Sequence, residues 1–273
     1  MVAPGVNSLK LNNLRTRAAS VMILAPTMLL ITWIGGGVFF FTLVAVSILL
    51  VFEWDKLSGA SDTVLKNIGL AILVVGALAA AWWYGYFEAF VVLVAAVTVE
   101  TALSVYKGRN ISLAAFGPVY IILPILSLMW LRRHPEVGFE SVVWLFLVVW
   151  ATDISAYLIG GLLGGAKLAP NISPGKTWSG SVGGVICAGL VGGLASEYFL
   201  ESKIIDTVAL GIFLGAFIGI VAQIGDLGES WLKRRSRIKD SGQLIPGHGG
   251  LFDRIDGLII SAPILAILLW LAE

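Results

Sequence analysis

Between residues 223 and 256 the chain reads QIGDLGESWLKRRSRIKDSGQLIPGHGGLFDRID, a run of charge and glycine in an otherwise apolar sequence. Asp226, Asp240, Asp253 and Asp256 stand there among Lys233, Arg234, Arg235, Arg237, Lys239 and Arg254. On a helix, Asp226, Ser230 and Lys233 recur at spacings of four and three and share one face. Asp253 and Asp256, three apart, do the same. The glycines and Pro246 between the two sets permit a tight return that brings the carboxylates together. Carboxylates without cysteine or paired histidine suit a hard cation such as Mg²⁺, which takes oxygen ligands and keeps phosphates in its shell. Lysine and arginine beside them suit phosphate oxygens. Together these residues imply phosphoryl or nucleotidyl transfer, with metal ions bridging nucleophile and leaving group. A basic patch holding anionic lipid headgroups is the plainer reading of the cations, but it leaves four aspartates and the GHGG turn unexplained. His248 has no second His or Cys to complete a zinc site. It reads as a phosphate donor or a loop-fixing hydrogen bonder.

Two more places break the apolar pattern. In WATDISAYLIGG, 150–161, Asp153 lies within an apolar run. A carboxylate at that depth is costly, so it is paired, faces a cavity or serves function. The stretch KLAPNISPGKTWSG, 167–180, reads as a loop from its Pro, Gly and Asn content. Its Lys176 and Thr177 invite comparison with a P-loop, but Pro170 occupies the first glycine position and an apolar span, not a strand, precedes it. What remains is a lysine, the hydroxyls of Ser173 and Thr177, and free N–H groups at a helix start, which together can bind an anion. An ordinary interfacial loop is the alternative.

The elements that must position these residues are membrane helices. Of 273 residues, 58% are hydrophobic and 13% charged, against roughly one quarter charged in soluble domains. Nine apolar spans fit, at 18–34, 35–52, 64–81, 86–104, 111–130, 141–162, 180–199, 205–225 and 257–272. The polar interval 226–256 is too short to bury a core of its own. An all-α polytopic protein of one membrane domain follows, with N-terminal helices over 18–130 and a C-terminal catalytic half over 141–273. With the N-terminus inside and sides alternating, fifteen of the eighteen basic residues fall on one face; only Arg132, Arg133 and Lys203 fall on the other. That asymmetry puts the polar stretches in the cytoplasm. The N-terminal basic segment and apolar run show no cleavage site and read as a retained first helix. The lone Cys187 makes no disulfide.

The stretches DISAYLIGGLLGGAKLAPNISPGKTWSG and GDLGESWLKRRSRIKDSGQLIPGHGGLFDRID closely resemble phosphatidate cytidylyltransferases. From Ser230 to Asp256 the family pattern S-x2-K-R-x4-K-D-S-x4-P-G-H-G-G-x2-D-R-x-D is matched without a gap. Gly257 stands where many members have Ser. The resemblance is sharp over about 150–256. It implies a multi-pass enzyme of the bacterial inner membrane that joins CTP to phosphatidic acid, giving CDP-diacylglycerol and pyrophosphate with Mg²⁺ required. It further implies a homodimer, no nucleic-acid partner, and metal between Asp226 and Asp253, with a monovalent cation such as K⁺ beside it in some members. Matching positions add Asp153, Lys176, Ser230 and Lys233 to the polar pocket.

On this reading Lys176, Lys233 and Lys239 neutralise phosphates, while Asp240 and Asp256 are outer ligands or fix Lys239 and Arg254. Ser173, Thr177, Arg234, His248, Gly249, Gly250 and Arg254 line the substrates. Two rivals share parts of this pattern. A transferase acting on a polyprenyl or ether lipid phosphate would use the same nucleotide and metal residues. A transporter would suit Asp153 and the glycine-rich spans, yet it calls for two related halves, and no internal repeat is found.

Overall fold

The computed structural model describes residues 22–58, 64–108, 110–199, 207–242 and 249–272. They form nine helices: α1 (Met22–Ile34), α2 (Gly36–Leu57), α3 (Val64–Trp83), α4 (Tyr86–Tyr106), α5 (Ile111–Arg133), α6 (Gly138–Leu163), α7 (Trp178–Phe199), α8 (Val208–Arg235) and α9 (Phe252–Ala272). Seven are long and apolar enough to cross a membrane; Met22–Ile34 and Asn67–Trp83 are shorter apolar stretches. The nine expected spans are therefore present as helices, and the chain is a multi-pass membrane protein. Two boundaries differ usefully from the apolar windows. Helix α8 continues ten residues past 225, to Arg235, and α9 starts at Phe252, five residues before 257. The segment read as a loop is instead an antiparallel hairpin, β1 (Lys167–Ala169) with β2 (Ser173–Thr177), pairing Lys167 with Thr177 and Ala169 with Ser173.

Alternation of nine helices sorts their ends into two sets. One end of the bundle is tied by the arginine pair that closes α5. Arg132 donates to Thr32 O at 2.6 Å and Trp33 O at 3.2 Å, satisfying carbonyls at the end of α1. Arg133 donates to Ala81 O at 3.1 Å near the end of α3 and stacks its guanidinium 4.9 Å from the centre of the Trp82 ring. Cations at helix C-termini satisfy orphan carbonyls and complement the macrodipole. These two residues broke the charge asymmetry of the sequence, and helix capping is the physical reason they stand there.

At the C-terminal half, α6, α7 and α8 pack through small residues. A Cβ at Gly192 of α7 would lie 2.7 Å from Gly215 Cα and 2.8 Å from Gly211 O of α8. Trp144 of α6, fully buried, donates its Nε1–H to Gly192 O at 2.9 Å. In lipid, close backbone approach of this kind is what drives helices together. Replacing Gly192 with Leu forces side-chain atoms against backbone that cannot yield, at a cost of about 1–3 kcal/mol or more. The detergent-solubilised variant is expected to melt earlier than wild type. Gly161→Ala, where an added Cβ meets open space, is expected to leave the melting temperature unchanged or raise it.

Candidate active site

At the other end of the bundle, α8 and α9 nearly touch. A Cβ on Gly225 would sit 2.5 Å from Asp256 O, so the backbones meet where only glycine fits. Gly257 stands on the facing surface, where its own Cβ would lie 2.9 Å from Val149 of α6. The close crossing sets Asp226 of α8 beside Asp256 of α9, and α6 brings Asp153 into electrostatic range of Asp226, Lys176 and Arg254. The hairpin delivers the cation. Lys176, at the end of β2, reaches Asp226 Oδ2 at 2.5 Å. One turn along α8, Ser230 Oγ donates to Asp226 Oδ1 at 3.4 Å, as the spacing of four requires.

Lys233 faces elsewhere. The sequence set it on the Asp226 face; the structure points its Nζ to Asp253 Oδ1 at 2.6 Å and to Glu229 Oε1 at 3.3 Å. Asp253 has its other oxygen engaged three times, by the N–H of Gly250 at 2.8 Å, the N–H of Ser241 at 3.0 Å and Ser241 Oγ at 3.1 Å. Behind that carboxylate lies another. Glu53 of α2, 2% exposed, accepts from Leu251 N at 2.7 Å, Phe252 N at 2.9 Å and Ser241 Oγ at 2.9 Å. The first N–H groups of α9 have no partner within the helix, and Glu53 fills that need from the opposite half of the chain. Ser236 Oγ donates to Leu57 O, joining the ends of α2 and α8 as well.

The remaining site candidates fall into groups. Thr177 is buried and caps α7, its Oγ1 accepting from Gly180 N at 3.2 Å. Arg234 is exposed and donates to Ile172 O at 3.1 Å, tying α8 to the hairpin. Ser173 lies in β2, partly buried. Gly249 has φ +81° and a Cβ there would strike Asp253 Oδ2 at 2.5 Å; Gly250 is buried and bonds that same oxygen. Lys239 and Asp240 are exposed at the surface beyond α8, and Arg254 is exposed on the first turn of α9. Asp256 accepts from Gly257 N at 2.8 Å. His248 and Pro246 lie outside the described residues.

Four residues escaped the sequence reading: Glu53, Glu229, Ser241 and Tyr120. Glu53 lay one residue past an apolar window, and a buried acid at a span end was the available signal. Glu229 is fully buried on α8, with Lys233 as its cation. Tyr120 of α5 stacks on Phe252, ring centres 5.6 Å apart, and lies within electrostatic range of Glu229, Asp256 and Asp226.

Five carboxylates (Asp153, Asp226, Glu229, Asp253, Asp256) thus gather with Lys176, Lys233 and Arg254 at one end of the bundle. Among the described residues the ligating atoms these carboxylates offer are oxygens, which fits a hard cation. Among the described residues no three His, Cys, Asp or Glu side chains form a ready-made metal shell. Mg²⁺ is commonly held by one or two carboxylates, with phosphates and water completing the shell. Asp226 and Asp253 could supply those carboxylates, each now held by a lysine that could pass to a phosphate.

Comparison with known proteins bears on this arrangement. The chain matches the profile of the cytidylyltransferase family over residues 15–272. It is 39% identical over 257 residues to a phosphatidate cytidylyltransferase of Brucella abortus, covering 93% of both chains. One from Rickettsia bellii is 42% identical over 152 residues, 55% of this chain and 65% of the relative. One from Staphylococcus aureus is 39% identical over 156 residues, 57% of this chain and 59% of the relative. With the match spanning nearly the whole length and including every charged residue described above, the chain belongs to the cytidylyltransferase family.

Proposed function

We propose that the protein is a phosphatidate cytidylyltransferase, transferring the cytidylyl group of CTP to phosphatidic acid and releasing pyrophosphate. One observation carries the reading: two lysine–carboxylate pairs, Lys176–Asp226 and Lys233–Asp253, stand in a single acidic cluster at the helix ends. Such a site accepts polyanions and a cation together, beside a bilayer that can hold the lipid tails. The lipid phosphate is a monoester with a second pKa of about 6, so it is largely ionised at neutral pH and needs no strong general base. What the reaction requires is relief of repulsion between that phosphate and the triphosphate. Lys176 and Lys233 would supply it by moving from their aspartates to phosphate oxygens, aligning the lipid oxygen with the α-phosphorus. The bond from the lipid phosphate oxygen to the α-phosphorus forms as the bond to the pyrophosphate oxygen breaks. Mg²⁺, held by Asp226 and Asp253, would stabilise the charge developing on the leaving group.

The basic residues that flank the site end of the helices support a cytoplasmic orientation, in the inner membrane of a bacterium. A homodimer and a monovalent cation such as K⁺ beside Mg²⁺ complete the reading, both on the family resemblance.

The test is pyrophosphate release by purified protein in detergent given CTP, Mg²⁺ and either phosphatidic acid or a polyprenyl phosphate. Release that depends on phosphatidic acid, with CDP-diacylglycerol as lipid product, is expected. Release with only the polyprenyl lipid would reassign the acceptor, and silence with both would overturn the enzyme reading.

A further inference from the structure

We infer that Glu53 and Ser241 are positioning residues for Asp253: a clamp from α2 that fixes which oxygen of that aspartate is open to a cation. The inference rests on the reading of Asp253 as a cation ligand. Glu53 binds both segments whose donors hold Asp253 Oδ2. Its Oε1 takes the N–H of Leu251, and its Oε2 takes the N–H of Phe252 and the hydroxyl of Ser241. Gly250, next to Leu251, and Ser241 are the residues whose N–H groups grip Asp253 Oδ2. Two carboxylates therefore face each other across one serine, whose Oγ lies 2.9 Å from Glu53 Oε2 and 3.1 Å from Asp253 Oδ2 and whose single proton the two must share.

Two glycines make the approach possible. A Cβ on Gly242 would sit 2.5 Å from Glu53 Oε1, and one on Gly250 would sit 2.6 Å from Glu53 Oε2. Segments 241–242 and 249–252 are thus wrapped around the Glu53 carboxylate. The consequence falls on Asp253. With Oδ2 held by two backbone N–H groups and the shared Ser241 hydroxyl, Oδ1, which faces Lys233, is the oxygen left to trade that ammonium for a metal. Residues that orient a metal ligand in this way are typically worth about 10- to 100-fold in metal affinity.

The clamp is tested by Mn²⁺ binding, read by electron paramagnetic resonance on full-length protein in detergent with CTP present and lipid absent. Turnover plays no part in that readout. Glu53→Gln places an amide NH₂ against one of the α9 donors and is expected to weaken Mn²⁺ binding about tenfold or more. Ser241→Ala leaves the helix cap intact and removes only the link between the carboxylates. It should shift binding in the same direction, with kcat reduced and the KM for phosphatidic acid unchanged. If Glu53→Gln does not fold, Ser241→Ala decides alone. Wild-type Mn²⁺ affinity in these variants, alongside its loss in Asp253→Asn, would overturn the clamp. Wild-type affinity in Asp253→Asn itself would instead overturn the reading beneath it.

Discussion

Asp226→Asn is expected to lower pyrophosphate release by about 10³-fold, equivalent to roughly 4 kcal/mol of transition-state stabilisation, while the protein still elutes as a folded species in detergent. The substitution keeps size and shape and removes the charge. In the present arrangement that charge holds the Lys176 ammonium at 2.5 Å and accepts from Ser230. An asparagine can still accept from Ser230, so α8 and its crossing with α9 survive. It cannot hold a divalent ion with the same strength, nor orient Lys176 for exchange onto phosphate. Losing one well-placed charged group in a site of this kind commonly costs about 10²–10³-fold, and Asp226 serves two such groups at once. Rate measurements at rising Mg²⁺ separate these contributions: partial recovery identifies weakened cation binding, and none identifies misplacement of Lys176. An Asp226→Asn protein with more than a tenth of wild-type activity would remove Asp226 from the site.

How much of this was legible beforehand depends on where each partner sits in the sequence. The Asp226–Ser230 contact was readable, because helical period alone decides it. The partner of Lys233 was not. Three residues from Ser230, Lys233 lies at the edge of the shared face, and its direction was settled by Asp253 and Glu229, one supplied by another helix. Glu53 was harder still: it meets Leu251 and Phe252 across nearly two hundred residues, and no local pattern reports such a contact. Helix boundaries failed in one consistent way. Hydropathy ends where charge begins, yet the backbone of α8 keeps its hydrogen bonds to Arg235, because its last turns are packed against α9 and the hairpin instead of lipid. The hairpin was missed for a related reason. Its composition is that of a turn, and pairing over a few residues leaves no periodic trace. The family pattern located the site, while the ion-pair network within it came from the fold.

Lys233 gives the largest expected effect on stability, and it separates fold from catalysis. Its ammonium lies between Asp253 at 2.6 Å and Glu229 at 3.3 Å, and the Glu229 side chain is wholly buried. Lys233→Met would leave Glu229 as an uncompensated buried charge, a defect that typically costs about 3–5 kcal/mol. The single variant is therefore expected to lose both activity and much of its thermal stability. Adding Glu229→Gln removes the charge on Glu229, while Asp253 keeps the N–H groups of Ser241 and Gly250 as donors. The double variant should recover most of the lost melting temperature, since apolar and neutral groups can replace a buried pair at little net cost. Activity should stay absent, because no cation remains to pass from Asp253 to a phosphate. Differential scanning fluorimetry and pyrophosphate release, run on the same preparations, read the two outcomes independently. Joint recovery of stability and turnover would make Lys233 a structural counter-ion alone. Recovery of stability without turnover leaves the ammonium as part of the chemistry, held in readiness by the carboxylates it must later leave.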